Sequence, residues 1–271
     1  MTGAVQRLSE LTWPEAARTR SAAPLVIVPA GACEQHGPAL ALSTDTVRAE
    51  EVAARLAQRL APRALVSPAV PFGVSEHHMA FAGTISLGPL TYQQVVYEVV
   101  QSLYRHGWRH VFVLNGHGGN AAAITVALQR LQADYPDLLA AWAGITNVVR
   151  DVAKRLASSE ITGHSCEIET SQVMALAPSL VRLDRLARGS ASRAELGSLG
   201  ALSRSGFDIQ FPQPFHRLSA SGALGDATRA SEAAGTELID QVVDRLAAFL
   251  NEFIAATAPV EEPEPIQDGG G

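Results

Sequence analysis

Four short apolar runs alternate with segments of helical periodicity along this chain, and this alternation restricts the fold more than any other feature. The runs are LVIVPA, ALVSPAV, HVFVLNG and LLAAWAGI, at residues 25–30, 64–70, 110–116 and 138–145. Helices are predicted at 46–60, 91–107, 120–136, 168–177 and 228–256. Because the apolar runs are nearly continuous, they predict strands that are covered on both faces. Strands that alternate with helices predict an α/β domain with a mainly parallel sheet.

The composition favours a soluble enzyme and argues against several other classes of protein. The chain has 271 residues, 47% of them hydrophobic, and no run reaches the roughly 18 apolar residues of a membrane span. The net charge is −6 and there is no basic block, so we expect neither nucleic acid nor membrane as a partner. Two cysteines do not make a disulfide framework, and the N-terminus lacks the apolar stretch of a signal peptide. A cytoplasmic location is therefore expected.

Two stretches lack regular periodicity. Residues 188–226 are rich in Gly, Ser and Pro and are predicted to form long loops. Long loops in compact domains are often functional, so we expect this segment to border the active site. Residues 258–271 are rich in Pro, Glu and Gly, and we predict a disordered tail there. Residues 1–257 are then predicted to form a single domain.

Polar sequences that contain histidine follow three of the predicted strands. They are EQH at 34–36, SEHH at 75–78 and NGHGGN at 115–120. Ligands of open α/β sheets bind at the carboxyl ends of the strands, which in a parallel sheet lie at one edge. The three sequences are therefore predicted to meet in one site.

Carboxylates and imidazoles are concentrated in these sequences and in one further motif. Glu34 and His36 are two residues apart, so they point the same way in an extended segment, and Asp45 follows at the start of a predicted helix. His117 lies in NGHGGN, and GHSCEIETS at 163–171 adds one histidine and two glutamates. Such mixed donors suit Zn²⁺ or Mn²⁺. There are more donors than one tetrahedral site needs, which predicts two ions with Asp45 as the bridging carboxylate.

The glycines after His117 have a predicted role of their own. Gly118 and Gly119 allow the backbone to approach a metal or a substrate closely. Their N–H groups precede a predicted helix, and such groups can stabilise a developing oxyanion. We therefore predict that both glycines bind substrate.

These motifs resemble those of the creatininase family of metal-dependent amidohydrolases. The resemblance rests on GACEQHGPALALSTDT, GVSEHHMAFAGTISL, NGHGGN, HSCEIETS and, more weakly, GALGDATRASEAAG, in the family's order over residues 6–255. It implies a three-layer α/β/α sandwich with a mainly parallel sheet. It also implies hydrolysis of a non-standard or cyclic amide C–N bond in a small molecule by a metal-bridging hydroxide. A homo-oligomer, typically a hexamer, is the implied assembly.

The resemblance also implies which residues hold the metals. Glu34, Asp45 and His117 match the ligands of one ion, and His36 with Asp45 matches ligands of the other.

Other residues match the family in roles toward the substrate. His164 matches the catalytic histidine, which acts as general acid/base on the scissile C–N bond. Ser75 and His78 match a loop on the substrate side of the site.

The sequence departs from the family members that hydrolyse creatinine itself. Those enzymes carry a glutamate, a ligand of the second metal, two residues after the motif histidine, where this chain has Gly119. Glu169 is predicted to complete the second metal site and, like His164, to be a catalytic residue. Glu167 is the alternative ligand of the second metal. Creatinine-acting enzymes also place tryptophans around the substrate, one of them shortly before the catalytic histidine. This chain has SSEITG before His164, and its nearest tryptophan in sequence is Trp142. We therefore expect creatinine to be a poor substrate.

Several functions stay open at this point. Within the family they are a creatinine amidohydrolase proper, a formamidopyrimidine-type deformylase and a mycofactocin-precursor-type peptidase. A cysteine hydrolase that uses Cys33 or Cys166 is an alternative of another class, but it leaves the carboxylates unexplained. The last alternative is a catalytically inactive metal-binding scaffold, which would be marked by loss of a ligand; none of the central ligands is lost.

Overall fold

The computed structural model describes residues 5–204 and 211–257, and its centre is a four-stranded sheet. Strands β1 to β4 are Leu25–Ala30, Ala64–Val66, His110–Asn115 and Leu139–Gly144. The strands are parallel, in the order β2-β1-β3-β4. Ala30 pairs with Asn115, so the carboxyl ends of β1 and β3 are level with each other.

Helices cover both faces of this sheet. In chain order, α1 to α10 are Trp13–Ala22, Thr44–Arg59, Pro89–Arg105, Ala121–Asp134, Ile145–Val148, Arg150–Leu156, Glu167–Leu176, Gly197–Ser203, Phe215–Leu218 and Glu232–Ala255.

Alternate residues of the strands supply two separate cores. Leu25 and Ile27 of β1 pack with residues of α2 and α10 on one face of the sheet. Val26 and Val28 pack with residues of α3 and α4 on the other face. Successive side chains of a strand point to opposite faces, so a strand buried on both sides must be apolar throughout. The predicted three-layer α/β/α sandwich with a parallel sheet is confirmed.

Two boundaries of the predicted elements were wrong for identifiable reasons. The second strand, predicted over 64–70, is only Ala64–Val66. Pro68 has no N–H for the sheet ladder, and beyond it only an isolated bridge joins Val70 to Ala30. The last helix begins at Glu232 rather than at 228, because the Ser231 side chain accepts a hydrogen bond from the Ala234 N–H and caps it there.

Regular structure also occurs where the composition indicated none. The segment 188–226, predicted as loops, contains α8 and α9. Helix α1 was not predicted, although Thr12 and Glu15 form a capping box at its start. The predicted tail at 258–271 lies outside the described residues. Within 5–204 and 211–257, none of the helices has the length and apolar character that a membrane span requires.

The contact between α7 and α10 yields a prediction with a definite sign. Gly235 of α10 faces α7 so closely that a Cβ there would lie 1.8 Å from the Ser171 carbonyl oxygen. Alanine in a helix interior ordinarily stabilises by about 1 kcal/mol relative to glycine. Here we expect Gly235→Ala to lower the free energy of unfolding by about 1–3 kcal/mol, the usual cost of overpacking.

Denaturant unfolding measures this free energy. Gly88→Ala is the control for a glycine substitution without a clash: Gly88 is the N-cap of α3, and a Cβ there meets only the Thr91 Oγ1, at 3.9 Å. Unchanged or increased stability of Gly235→Ala would contradict the close packing of these two helices.

Candidate metal centre

The carboxyl ends of β1 and β3 bring the predicted ligands into one buried cluster. Glu34 and His36 follow β1, His117 follows β3, and Asp45 lies in the first turn of α2. All four side chains are buried, with 1–4% of each residue exposed. The sequences that were predicted to meet at the sheet edge do so.

Carboxylate oxygens and imidazole nitrogens face each other across a narrow space. Glu34 Oε1 and Asp45 Oδ2 each lie 3.2 Å from His117 Nδ1. Asp45 Oδ1 lies 3.3 Å from His36 Nε2, and Glu169 Oε2 lies 3.6 Å from the same nitrogen. Asp45 thus stands between the two histidines, as a bridging ligand would.

Main-chain carbonyls fix the orientation of both histidine rings. The distal nitrogen of His117, Nε2, lies 3.0 Å from the Val74 carbonyl oxygen. His36 Nδ1 lies 3.1 Å from the carbonyl oxygen of Glu34. A carbonyl only accepts, so in each ring this nitrogen carries a proton, and the other nitrogen faces the carboxylates, where it can bind a proton or a metal. Metal-binding histidines are ordinarily held in this way.

The charge of the cluster favours cations. Burial alone lowers the pKa of His36, but the Asp45 and Glu169 carboxylates raise it to about 9. Burial likewise lowers the pKa of His117, yet Glu34 and Asp45 raise it well above its usual value. The negative field that binds a proton so tightly at these nitrogens also attracts a divalent ion.

Orphaned polar atoms show that the donor set fits a metal. Glu34 Oε1, His36 Nε2 and Asp45 Oδ2 are buried and have no hydrogen-bond partner. An unpaired buried polar atom costs about 1–3 kcal/mol, and more when it is charged. Groups of three donors within 4.8 Å of one another include Glu34 with His36 and Asp45, and His36 with His164 and Glu169. These residues suit Zn²⁺ or Mn²⁺, which take nitrogen and carboxylate ligands.

The two glutamates of the fourth motif occupy different environments. Glu169 Oε2 points into the cluster and accepts a hydrogen bond from the Ser165 N–H at 2.6 Å. Glu167 instead accepts hydrogen bonds from the N–H groups of Ser158, Ser159 and Asp226, at 2.8–3.0 Å. The geometry thus favours Glu169 over Glu167 as a metal ligand.

His164 lies beside the cluster, with one nitrogen anchored. Its Nε2 is 2.7 Å from the main-chain carbonyl oxygen of Gln35, so this nitrogen carries a proton. Its Nδ1 is 3.7 Å from Glu34 Oε1. Burial, reinforced by the nearby His36, lowers the pKa of His164 to about 3. The ring is therefore neutral near pH 7, with the Nδ1 lone pair toward the cluster.

The four predicted substrate-binding residues are placed differently from one another. Ser75 is fully buried and donates a hydrogen bond to Glu34 Oε2 at 2.7 Å, so it orients a carboxylate instead of lining the cavity. His78, Gly118 and Gly119 line a cavity of about 500 Å³ above the cluster. Substrate binding by these residues stays a prediction.

The segment 188–226 borders this cavity, as predicted. Phe215 packs on the His78 ring, with centroids 4.0 Å apart, and on the His164 ring, with centroids 4.9 Å apart. Arg204 lines the same cavity. Burial lowers the pKa of its guanidinium, as expected for a cation that is partly withdrawn from water.

A second cavity, of about 270 Å³, opens on the other side of His117 and Gly118. Its wall includes Trp142, Thr162 and Glu169. Trp142, the tryptophan nearest in sequence to His164, therefore lines a cavity that the cluster residues His117 and Glu169 also border. Together the two cavities offer space on both sides of the cluster.

Sequence reasoning missed two residues of this site. Arg48 is buried and contacts Asp45 and Glu169. Its position three residues after Asp45 places it on the same helix face, a signal present in the sequence. The Gln35 amide nitrogen lies 2.7 Å from His78 Nδ1 and donates to the Gly222 carbonyl at 3.0 Å. No pattern of residue types indicated that role.

The cysteines do not form a nucleophilic site. Burial raises the pKa of the Cys166 thiol to about 11, and burial together with Glu34 raises that of Cys33. Only the thiolate is nucleophilic, so both side chains are protonated and inert near pH 7. The alternative of a cysteine hydrolase has no support here.

The family profile described as "Creatininase: Creatinine amidohydrolase" matches residues 9–250. The chain belongs to the creatininase family. It is therefore a hydrolase of the amidohydrolase type, a class that acts on non-standard amide bonds. The match covers the motifs from which the resemblance was inferred.

The similar proteins include a peptidase and a creatinine amidohydrolase. "Mycofactocin precursor peptide peptidase" of Mycobacterium ulcerans is 34% identical over 254 residues, which cover 89% of this chain and 92% of that one. "Creatinine amidohydrolase" of Pseudomonas putida is 29% identical over 267 residues, covering 92% and 98%. A structure titled "Creatininase Mn" has a TM-score of 0.76 at 29% identity and covers 93% of this chain and 100% of its own. A mutant creatininase of Zn–Zn type has a TM-score of 0.76 at 27% identity, covering 94% and 100%.

The contrast between the two glutamates gives a paired prediction. Glu169→Gln removes a charge that faces His36, so we expect lower metal content and lower activity. Glu167→Gln disturbs an acceptor of three backbone N–H groups, so we expect lower stability with metal content preserved. Elemental analysis after gentle purification and thermal unfolding measure the two effects. Equal metal loss in both variants, or the reverse order, would show that the wrong carboxylate has been assigned.

Proposed function

We propose that this hydrolase cleaves a non-standard amide C–N bond of a peptide-derived substrate at a pair of divalent ions. The observation that carries the proposal is the buried cluster of carboxylates and imidazoles, with unpaired donor atoms, beside a neutral histidine. The two cavities beside the cluster provide room for the groups on both sides of the scissile bond. The expected assembly is a homo-oligomer, a hexamer by family resemblance.

Each metal position has its own set of donors. Glu34, Asp45 and His117 would hold one ion, and His36, Asp45 and Glu169 would hold the other. When bound, the ions would be Zn²⁺ or Mn²⁺ and would supply Lewis acidity for the amide carbonyl and an acidified water. The similar creatininase structures include a Mn form and a Zn–Zn form.

His164 is proposed to move the proton that the reaction requires. Its Nε2 is committed to the Gln35 carbonyl, so only Nδ1 is free to accept a proton beside Glu34. Attack of water on the amide carbonyl breaks the C–N bond, and the leaving nitrogen must gain a proton. His164 Nδ1 takes the proton from the attacking water and returns it to the leaving nitrogen.

The cavity shape and the relatives favour a peptide-derived substrate. The space of about 500 Å³ is walled by Arg204, Phe215 and the two histidines of the SEHH motif. Such a wall combines a cation, which suits an anionic group, with aromatic faces. The mycobacterial relatives, at 34–35% identity, are named for a precursor peptide.

Creatinine hydrolysis is the second candidate, and Trp142 is the observation that favours it. This side chain lines the 270 Å³ cavity beside His117 and Glu169. An indole face there would stack on a small flat ring. Gly119 argues against this candidate, because creatinine-acting members have a metal-binding glutamate at that position.

The proposed role of His164 predicts loss of rate without loss of metal. General acid/base catalysis contributes about 10²–10⁴-fold, so we expect His164→Asn to lower kcat by that factor. Metal content should equal that of the wild type, because the ring is not assigned to either ion. Steady-state kinetics with elemental analysis tests both statements. Loss of metal in this variant would make His164 a ligand.

Substrate preference tests the proposed function directly. We expect metal-loaded protein to hydrolyse short peptide amides faster than cyclic amides or formamides, and creatinine slowly. Initial rates for a panel of these compounds, with Zn²⁺ and with Mn²⁺, make the comparison; heat-treated protein is the control. A kcat/KM for creatinine at or above about 10⁴ M⁻¹s⁻¹, the lower end of ordinary enzyme efficiency, would instead make creatinine hydrolysis the function.

A further inference from the structure

Arg48 is a buried charged residue that the proposed chemistry does not use. Only 3% of its side chain is exposed, and it lies one helical turn after Asp45 on α2. A buried charge is costly unless it is paired and hydrogen-bonded. The contacts of Arg48 therefore indicate what the charge does in this protein.

The guanidinium of Arg48 joins four parts of the site. Its Nη1 lies 3.4 Å from Asp45 Oδ1 and is paired with Glu169 Oε1. Its Nη2 donates to Thr146 Oγ1 at 3.1 Å, and its Nε donates to Gln172 Oε1 at 3.0 Å. Glu169 and Gln172 both belong to α7, so Arg48 holds the catalytic end of that helix against α2.

The two oxygens of Glu169 have separate partners. Oε1 is held by Arg48, while Oε2 accepts from the Ser165 N–H and faces His36 Nε2 at 3.6 Å. The carboxylate is 13% exposed and borders the 270 Å³ cavity, so it has room to rotate away. Arg48 restricts that rotation by pairing with Oε1.

No other carboxylate can take the place of Glu169 from the NGHGGN loop. A Cβ on Gly119 would lie 2.2 Å from the Val74 carbonyl oxygen and 2.4 Å from His117 Nε2. At Gly119 the backbone is thus too close to its neighbours for a side chain, and NGHGGN itself contains no carboxylate. Glu169 is therefore the carboxylate on which the proposed second ion depends.

We propose that Arg48 is a positioning residue for the second metal site, which it serves by holding Glu169 Oε1 so that Oε2 points at His36 and Asp45. This inference rests on the proposed two-ion function. Residues that orient metal ligands typically change metal affinity by about 10–100-fold when substituted. Of the proposed ligands of the first ion, Arg48 contacts only the bridging Asp45, at 3.4 Å, which is a longer contact than its pairing with Glu169.

The test is a titration of the metal-free wild type and variants with Mn²⁺. Calorimetry measures the affinity for each ion, and electron paramagnetic resonance shows whether the two ions form a coupled pair. We expect the wild type to bind two ions, with the spectrum of a coupled pair. Arg48→Gln should bind the first ion normally and the second about 10–100-fold more weakly. Arg48→Lys keeps the charge but loses the planar fork, so its second site should be intermediate.

Arg55→Gln is the matched control, because Arg55 also links α2 to α7, through the Ala175 carbonyl at 3.3 Å, without contact to the cluster. It should bind both ions as the wild type does. If Arg55→Gln and Arg48→Gln weaken binding of the second ion equally, or if Arg48→Gln binds it normally, the inference about Arg48 is overturned. The two-ion proposal would still stand. A wild type that binds a single ion would overturn the two-ion proposal, and this inference with it.

A double-mutant cycle covers the case in which Arg48→Gln does not fold. The effects of Arg48→Lys and Glu169→Gln on second-ion affinity should be strongly non-additive, because both substitutions act on one contact. Additive effects would mean that Arg48 does not act through Glu169.

Discussion

Three carboxylates buried at one edge of the sheet are the constraint around which the rest of this protein is arranged. Glu34 lies 3.2 Å from His117, Glu169 lies 3.6 Å from His36, and Asp45 lies between the two imidazoles, at 3.3 Å from His36 and 3.2 Å from His117. Burying such negative charge is strongly unfavourable unless cations or hydrogen-bond donors offset it. Arg48 and Ser75 donate hydrogen bonds to these carboxylates, yet three buried atoms that could bind a metal have no hydrogen-bond partner. The unpaired atoms are the reason why this cluster suits a metal ion.

The fold was predictable where the pattern of hydrophobic residues alone determined the secondary structure. Strands that are buried on both faces must be apolar at every position, so β1 and β3 were located to within one residue. The prediction failed where a local stereochemical rule overrode composition, as at Pro68, which ended β2 early. It also failed in 188–226, because tertiary contacts stabilise helices there in a segment whose glycines and serines favour loops.

The site was predictable as far as spacing along the chain fixes direction in space. Glu34 and His36 share one side of an extended segment, and the level ends of β1 and β3 bring His117 to them. Gln35 was missed because its partners lie 43 to 187 residues away. Arg48 is three residues from Asp45, but its pairing with Glu169 spans 121 residues. Contacts at such separations depend on the packing of α7 and of the segment around Gly222, which no local pattern encodes.

Histidines and carboxylates of the cluster are held by different kinds of partner. His36, His117 and His164 each donate to a main-chain carbonyl oxygen. Every residue type has such a carbonyl, so these rings keep their orientation however the neighbouring side chains change. Glu34 and Glu169, by contrast, also depend on side chains, namely the Ser75 hydroxyl and the Arg48 guanidinium, although the Ser165 N–H also holds Glu169. Substitution of those side chains can therefore change how strongly the carboxylates bind a cation, while the main-chain carbonyls keep the imidazoles in place. The site can in this way adapt to a new substrate without a change in the position of its histidines.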